Sequence, residues 1–504
     1  MSRNIDPGAH KVLFLDDQAI ESAIGLRRTL HQPEKQGSII RPDRSRDQTL
    51  VQSSTVPQWN SETDSWEWWY AVFYGDAPYQ GPGTPVWADY HYATSTDGVN
   101  WDQPSLGLYE WRGSKDNNLA YYSKMDYLRR RGQRNPVDIA ERRFHHILRD
   151  ERDPDPARRY KGLFSNSDNM RRYPALSPDG FKWTFPHVAG IQSEDTSAML
   201  YDDISDQFVA TVKQRTEWGR SVWLSTSKNF VEWTTPELVL RTDEVDRENR
   251  RERINRVIDD PAYLSPPVVD DETDYIAQLY MMPLMTYEGL YIGFPLLLNP
   301  AGPDLPQMNH CGLNQTELAV SRDLYHWDRV ADREIFIGIE PWDGISYDTA
   351  QVAVCGPPIV RNGEIWIYYE AARFRGLAEI YPEEYEPYFK DYGALQLAKL
   401  RLDGFVSLDA EGLGKLITQP FRVDGSTLHV NVDANRGQVV AEIIDAETLQ
   451  PLPGLSLGEC NPLSVDDIDQ QITWLQGARL DSERPIRVRF EMRDSKIFAF
   501  WLRQ

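Results

Sequence analysis

Apolar and polar positions alternate in short runs along most of the chain. Residues 197–201 are largely apolar, 202–206 are polar and 208–213 are largely apolar again. Residues 357–360, 361–363 and 365–369 repeat that order. Short apolar runs separated by Asp, Asn and Gly predict β-hairpins. Further strand-like runs lie at 87–93, 220–225, 317–321 and 395–400. Helix signals are few. Residues 125–141 are Arg-rich and broken by Gly132 and Pro136, and 245–257 are nearly all charged, which predicts an exposed helix or a loop.

One short pattern recurs after the strand runs. Ser95, Asp97 and Trp101 share a spacing with Ser177, Asp179 and Trp183. Ser227, Asn229 and Trp233 repeat it, as do Ser321, Asp323 and Trp327, and Asp403-Gly404-Phe405 is a degenerate fifth copy. Ser and Asp oxygens can hold a tight turn by bonding nearby backbone N–H groups, and Gly there tolerates positive φ. The Trp can fold back as an apolar plug. Strand, polar turn, strand and then this box is the grammar of a β-propeller blade. Five copies predict an all-β chain with a five-bladed propeller over residues 46–409.

The ends differ. Residues 1–45 hold a strand candidate at 12–15 and are expected to run along the propeller or help close its ring. After Asp409 the box stops. Strand candidates at 416–421, 427–432, 439–444, 486–492 and 497–502 predict a β-sandwich over 410–504, with a structural role favoured over sugar binding.

Composition narrows the function. The 77 acidic and 54 basic side chains give a net charge of -23, which argues against nucleic acid as a partner. No apolar run is long enough for a membrane helix. No signal-peptide pattern opens the sequence, so a cytoplasmic protein is expected. Cys311, Cys355 and Cys460 are too scattered for a disulfide framework or a zinc site. Sixteen Trp and 25 Tyr suit β-structure and the stacking of sugar rings. Walker, dinucleotide-binding and His-Glu-x-x-His patterns are missing. His145 and His146 alternate on a strand and would face opposite ways. No cofactor is expected, and a structural calcium in the channel is left open.

The box, in the form Ser321-Arg322-Asp323-Leu324-Tyr325-His326-Trp327, resembles the turns of the five-bladed glycoside hydrolases of families 32, 43 and 68. The segment from Glu194 and Asp195 to Asp202 and Asp203 resembles their strand that opens on a catalytic Asp and ends in an acidic turn. A propeller followed by a sandwich resembles the family 32 layout. The chain also looks like bacterial proteins loosely labelled family 32-like, through Phe14-Leu15-Asp16-Asp17, Leu30-His31-Gln32-Pro33, residues 287–293 and Cys460-Asn461-Pro462. The resemblance implies a glycosidase acting in a central pocket. Three departures stand beside it. The first inner strand, around Ser53 and Thr55, carries no acid where family 32 has its nucleophile. The family's Glu-Cys pair is replaced at Cys355. Arg152-Asp153-Pro154 matches the family's Arg-Asp-Pro motif literally, but it falls in a polar hairpin turn and reads as coincidence.

Glycoside hydrolysis needs two carboxyl groups, one to protonate the leaving oxygen and one to attack or to activate water. In a propeller they would lie where inner strands open or second strands end. Asp195 opens an inner strand, with Glu194 beside it. Asp348 precedes the fifth inner strand and Glu370 ends the next one. Glu317 is a weaker candidate, and Glu288 falls in a turn and reads as structural. Lys213, Arg215, Arg143, Arg373 and Arg375 would gather at the same mouth, where they would orient carboxylates or bind an acidic sugar. Trp218, Trp342 and Tyr347 are loop aromatics placed to stack on a sugar ring. A glycosidase is the leading reading. A non-hydrolytic carbohydrate-binding propeller and a lyase or phosphorylase acting on an acidic sugar stay open.

Overall fold

The computed structural model describes residues 5–74, 88–111, 113–121, 143–165, 170–266, 275–301, 311–376, 381–477 and 479–504. The chain is nearly all β. Most strands belong to five successive antiparallel units. The first contains Gln48–Gln52, Ser65–Tyr74, Ala88–Ser95 and Leu119–Tyr121. The second contains Arg143–Arg149, Tyr160–Ser165, Arg171–Ser177 and Ile191–Gln192. Ser197–Asp202, Gln207–Thr216, Gly219–Ser227 and Glu237–Leu240 form the third.

In the fourth unit, whose later strands are Gly312–Glu317, Ala319–Ser321 and Ile335–Ile337, the strands are kinked. Gln278–Met281 and Leu284–Tyr287 are separated by Pro283, and Leu290–Gly293 and Leu296–Pro300 by Pro295. Proline removes a ladder donor, so the strands bend there. The ladder nonetheless continues through Phe294 N to Pro283 O at 2.9 Å and Glu317 N to Pro295 O at 3.0 Å. The fifth unit pairs Gln351–Val354, Glu364–Ala372 and Gly393–Arg401. Its outer strand is Glu34–Ile40, from the other end of the chain. Single parallel bridges join Asn314 to Gln351 and Gly393 to Leu50, linking the fourth unit to the fifth and the fifth to the first.

The repeated box explains how the units pack. In each full copy the Asp or Asn Oδ1 accepts the backbone N–H groups two and three residues on, as Asp97 does from Val99 and Asn100 at 2.8 Å each. The residue after it takes positive φ. It is Gly98 and Gly180 in two copies but Phe230 and Leu324 in the others, at φ 65° and 72°. Every box presses on the preceding unit. Phe230 joins Leu163 of the second unit, and Leu324 joins Leu200 and Leu224 of the third. Phe405 of the degenerate copy packs with Phe294 and Phe336 of the fourth. The first box reaches the fifth unit, where the Tyr368 hydroxyl donates to Gly98 O at 2.9 Å.

The remaining sheet joins both chain ends. Ile20–Leu30 pairs with Val406–Thr418, which pairs with the long strand Arg479–Arg503. Phe421–Asp433, Gln438–Asp445 and Val12–Leu13 also pair with Arg479–Arg503. The N-terminal stretch is divided between this sheet and the fifth unit. The boundary expected at Asp409 falls inside the continuous strand Val406–Thr418. Ile20–Leu30 carries charges on an irregular pattern, which hid it. Asp403 ties the parts together: it accepts from Lys11 Nζ at 2.8 Å, from Asn431 Nδ2 at 3.0 Å and from the Tyr287 hydroxyl.

The charged stretch forms the helix Glu244–Asp259, opened by a capping box between Asp243 and Asp246. It is not fully exposed, because Asp246, Arg250, Ile254 and Val257 are buried. The expectation at 125–141 lies outside the described residues. No helix among the described residues is long and apolar enough to cross a membrane.

Candidate functional site

Asp195 follows the end of the second unit and precedes the inner strand Ser197–Asp202 of the third. Its side chain is 48% exposed. Lys213, on the neighbouring strand, is 2% exposed and forms an ion pair with Asp195 Oδ1. The Tyr280 hydroxyl, from the fourth unit, donates to Asp195 Oδ2 at 3.2 Å. Burial alone would raise the Asp195 carboxyl. The charges of Lys213, Arg220 and Arg172 outweigh burial and hold it well below the usual carboxylate range. Burial pulls the Lys213 ammonium down to about 8 against the pull of Asp195.

Cations converge on the Tyr280 ring. Lys213 Nζ lies 3.8 Å from its centroid, the Arg375 guanidinium 5.4 Å and that of Arg220 5.7 Å. Arg220 donates to Gln278 Oε1 at 2.8 Å, and Arg375 donates to Gln351 Oε1 at 2.9 Å. Gln351 in turn donates to Glu370 Oε1 at 3.0 Å. A continuous chain of contacts therefore runs from Asp195 through Tyr280, Arg375 and Gln351 to Glu370. Burial pushes the Glu370 carboxyl up to about 8, against the Ser53 backbone, Arg375 and Gln351. Within this network the Asp195 carboxyl is shifted down and the Glu370 carboxyl up.

The other expected residues scatter. Glu194 pairs with Arg215 at 3.0 Å beside Asp195. Asp348 is buried and bonded elsewhere, to Lys35 at 2.8 Å and the Tyr369 hydroxyl at 3.2 Å. Arg373 pairs with Asp391 at 3.2 Å and lies over the Tyr347 ring. Tyr347 is 3% exposed and cannot stack on a sugar. Trp342 packs edge-on among Tyr385 and Tyr388 and beside Phe374, so it is a packing residue. Trp218 sits in the hairpin between Gln207–Thr216 and Gly219–Ser227, beside Arg241 and Arg247. The Arg143 side chain lies outside the described residues. Glu317 is fully buried between Arg253 and Arg329. Glu288 Oε2 accepts from Lys11 N at 2.8 Å in a turn, a structural role.

Arg152-Asp153-Pro154 lies in a turn between strands, where Asp153 pairs with Lys161 at 2.9 Å and Arg158 at 2.8 Å. His146 is buried between Ser54 O and Ser197 Oγ, and burial lowers its imidazole to about 3. Among the described residues no group of three or more His, Cys, Asp or Glu gathers as a metal ion requires. The sequence reading missed Tyr280, Gln351, Arg172 and Arg220. The only hint at Tyr280 was an aromatic residue within an apolar run.

No known family model matches the chain, and no curated protein matches it. Solved structures are similar to it at low identity. An N-acetylgalactosamine deacetylase from F. plautii, in complex with blood group B trisaccharide, is 12% identical over 76% of this chain and 97% of its own, with a TM-score of 0.41. A glycosyl hydrolase from Bacteroides ovatus is 12% identical over 77% and 96%, also at 0.41. A beta-fructofuranosidase from Schwanniomyces occidentalis, complexed with fructosyl-erythritol, is 12% identical over 94% and 100%, at 0.40. At these values the likeness carries nothing about activity.

Proposed function

We propose that the chain is a five-bladed β-propeller with a C-terminal β-sandwich, and that it hydrolyses a terminal glycosidic bond of an oligosaccharide or glycoside. The fold reading is supported by the five antiparallel units and by boxes that pack in cyclic order, the first on the fifth. The chemistry is supported above all by one arrangement: Asp195 and Glu370 share a contact network whose surroundings shift their carboxyl groups in opposite directions. Glu370 donates its proton to the leaving oxygen. Asp195, ionised, attacks the anomeric carbon or takes a proton from the attacking water. The carboxyl partner is thus Glu370 rather than Asp348, whose oxygen is committed to Lys35.

Incubation with a broad panel of neutral and acidic oligosaccharides, with and without phosphate, tests the reading by mass spectrometry. A released sugar carrying one added water is the expected product. The cations around Tyr280 favour a second reading, a lyase or phosphorylase acting on an acidic sugar. An unsaturated or phosphorylated product would make that reading the better one. Sugar binding with no product would leave a carbohydrate-binding protein.

A further inference from the structure

We propose that Tyr280 is a positioning residue that clamps both oxygens of Asp195, one through its hydroxyl and the other through the cation on its ring. The catalytic importance of that clamp rests on the hydrolase reading above. The first arm is the hydrogen bond to Oδ2 at 3.2 Å. The second is indirect: Lys213, 3.8 Å from the ring centroid, is the ion-pair partner of Oδ1. A buried ammonium keeps its place over an aromatic face because the ring quadrupole attracts it. Removing the ring therefore frees the cation as well as the hydroxyl.

The arrangement spans two units and is anchored in the backbone. The Thr196 hydroxyl, next to Asp195, donates to Tyr280 O at 2.7 Å. Tyr280 and Asp195 are thus held together by main chain and side chain at once. Lys213 covers the ring at contact distance, with Arg375 and Arg220 farther off, so the ring serves the carboxylate rather than a sugar face. The charged groups facing Asp195 are Arg172 from the second unit and Lys213 and Arg220 from the third. Glu194 and its partner Arg215 lie beside it.

Two substitutions separate the arms. Tyr280→Phe removes the hydroxyl and keeps the ring, and Tyr280→Leu removes both. The Asp195 carboxyl is titrated by carbon NMR in protein labelled at the Asp carboxyl carbons, with its signal assigned by Asp195→Asn. The midpoint should rise in Tyr280→Phe and rise further in Tyr280→Leu. If hydrolysis is found, the acidic limb of kcat/KM should move the same way. Turnover should fall about tenfold in the first variant, as for one hydrogen bond to a charged group, and further in the second. An unchanged midpoint in well-folded Tyr280→Phe would overturn the clamp, as would equal midpoints in both variants. The titration needs no substrate, so a clamp without activity is distinguishable from an active enzyme without a clamp.

Discussion

Gly180, in the box of the second unit, lies against Trp69 of the first, where an added Cβ would come within 2.5 Å of the indole. Its φ of 76° also disfavours any side chain. Gly180→Ala is expected to destabilise the protein by about 2–4 kcal/mol, combining backbone strain with overpacking. Gly113, at φ 84° with nothing near its would-be Cβ, is the control for strain alone. Its Ala variant should lose only about 1 kcal/mol. Chemical denaturation of both variants checks the difference.

Asp195→Asn should lower turnover by about 10³-fold while leaving the circular dichroism spectrum unchanged. Glu370→Gln should do the same on substrates with poor leaving groups. On an aryl glycoside whose leaving group needs no protonation, Glu370→Gln should recover much of its rate and Asp195→Asn should not. Equal losses on both substrate types would remove Glu370 from the role of acid.

The Glu370 carboxyl is raised in the folded state, so the native protein binds a proton that the unfolded chain has released between the ordinary Glu range and about pH 8. Its contribution to stability therefore declines as pH rises through that window. Glu370→Gln cannot ionise. The Tm of wild type should fall relative to that of the variant between pH 5 and pH 8.5. Activity should also drop above about pH 8 as the acid loses its proton. Parallel Tm curves across that range would contradict the buried-carboxyl assignment.

Asp153 and Asp348 bear on the motif reading. Each is engaged away from Asp195, the first with Lys161 and Arg158, the second with Lys35. Asn at either position is expected to keep turnover within about threefold of wild type and to cost about 1–3 kcal/mol of stability, as lost ion pairs do where one partner is buried. A thousandfold loss in Asp153→Asn would mean that the Arg-Asp-Pro match is functional after all.

Much of the fold was legible because its grammar is local. The Ser95, Ser177, Ser227 and Ser321 boxes each write their turn within a few residues, so sequence spacing carries it. The same locality made Asp195 a candidate, since it stands immediately before the strand Ser197–Asp202. The position of Asp348 in the chain resembles that of Asp195, but its ion-pair partner Lys35 comes from the distant strand Glu34–Ile40, which no local pattern records. Tyr280 and Gln351 were silent for the complementary reason. Their importance lies in contacts between units, to Asp195 and to Arg375 and Glu370, and no local pattern records such pairings.

The strand Glu34–Ile40 lies far before its sheet partner, Gly393–Arg401, in the sequence. Ile20–Leu30 likewise waits for Val406–Thr418. During synthesis both segments leave the ribosome as unpaired edges long before their partners exist, a state that invites wrong pairing. Neither pairing can form until the strands from residue 393 onward have been made. Premature termination before residue 393 would leave both Glu34–Ile40 and Ile20–Leu30 without their sheet partners.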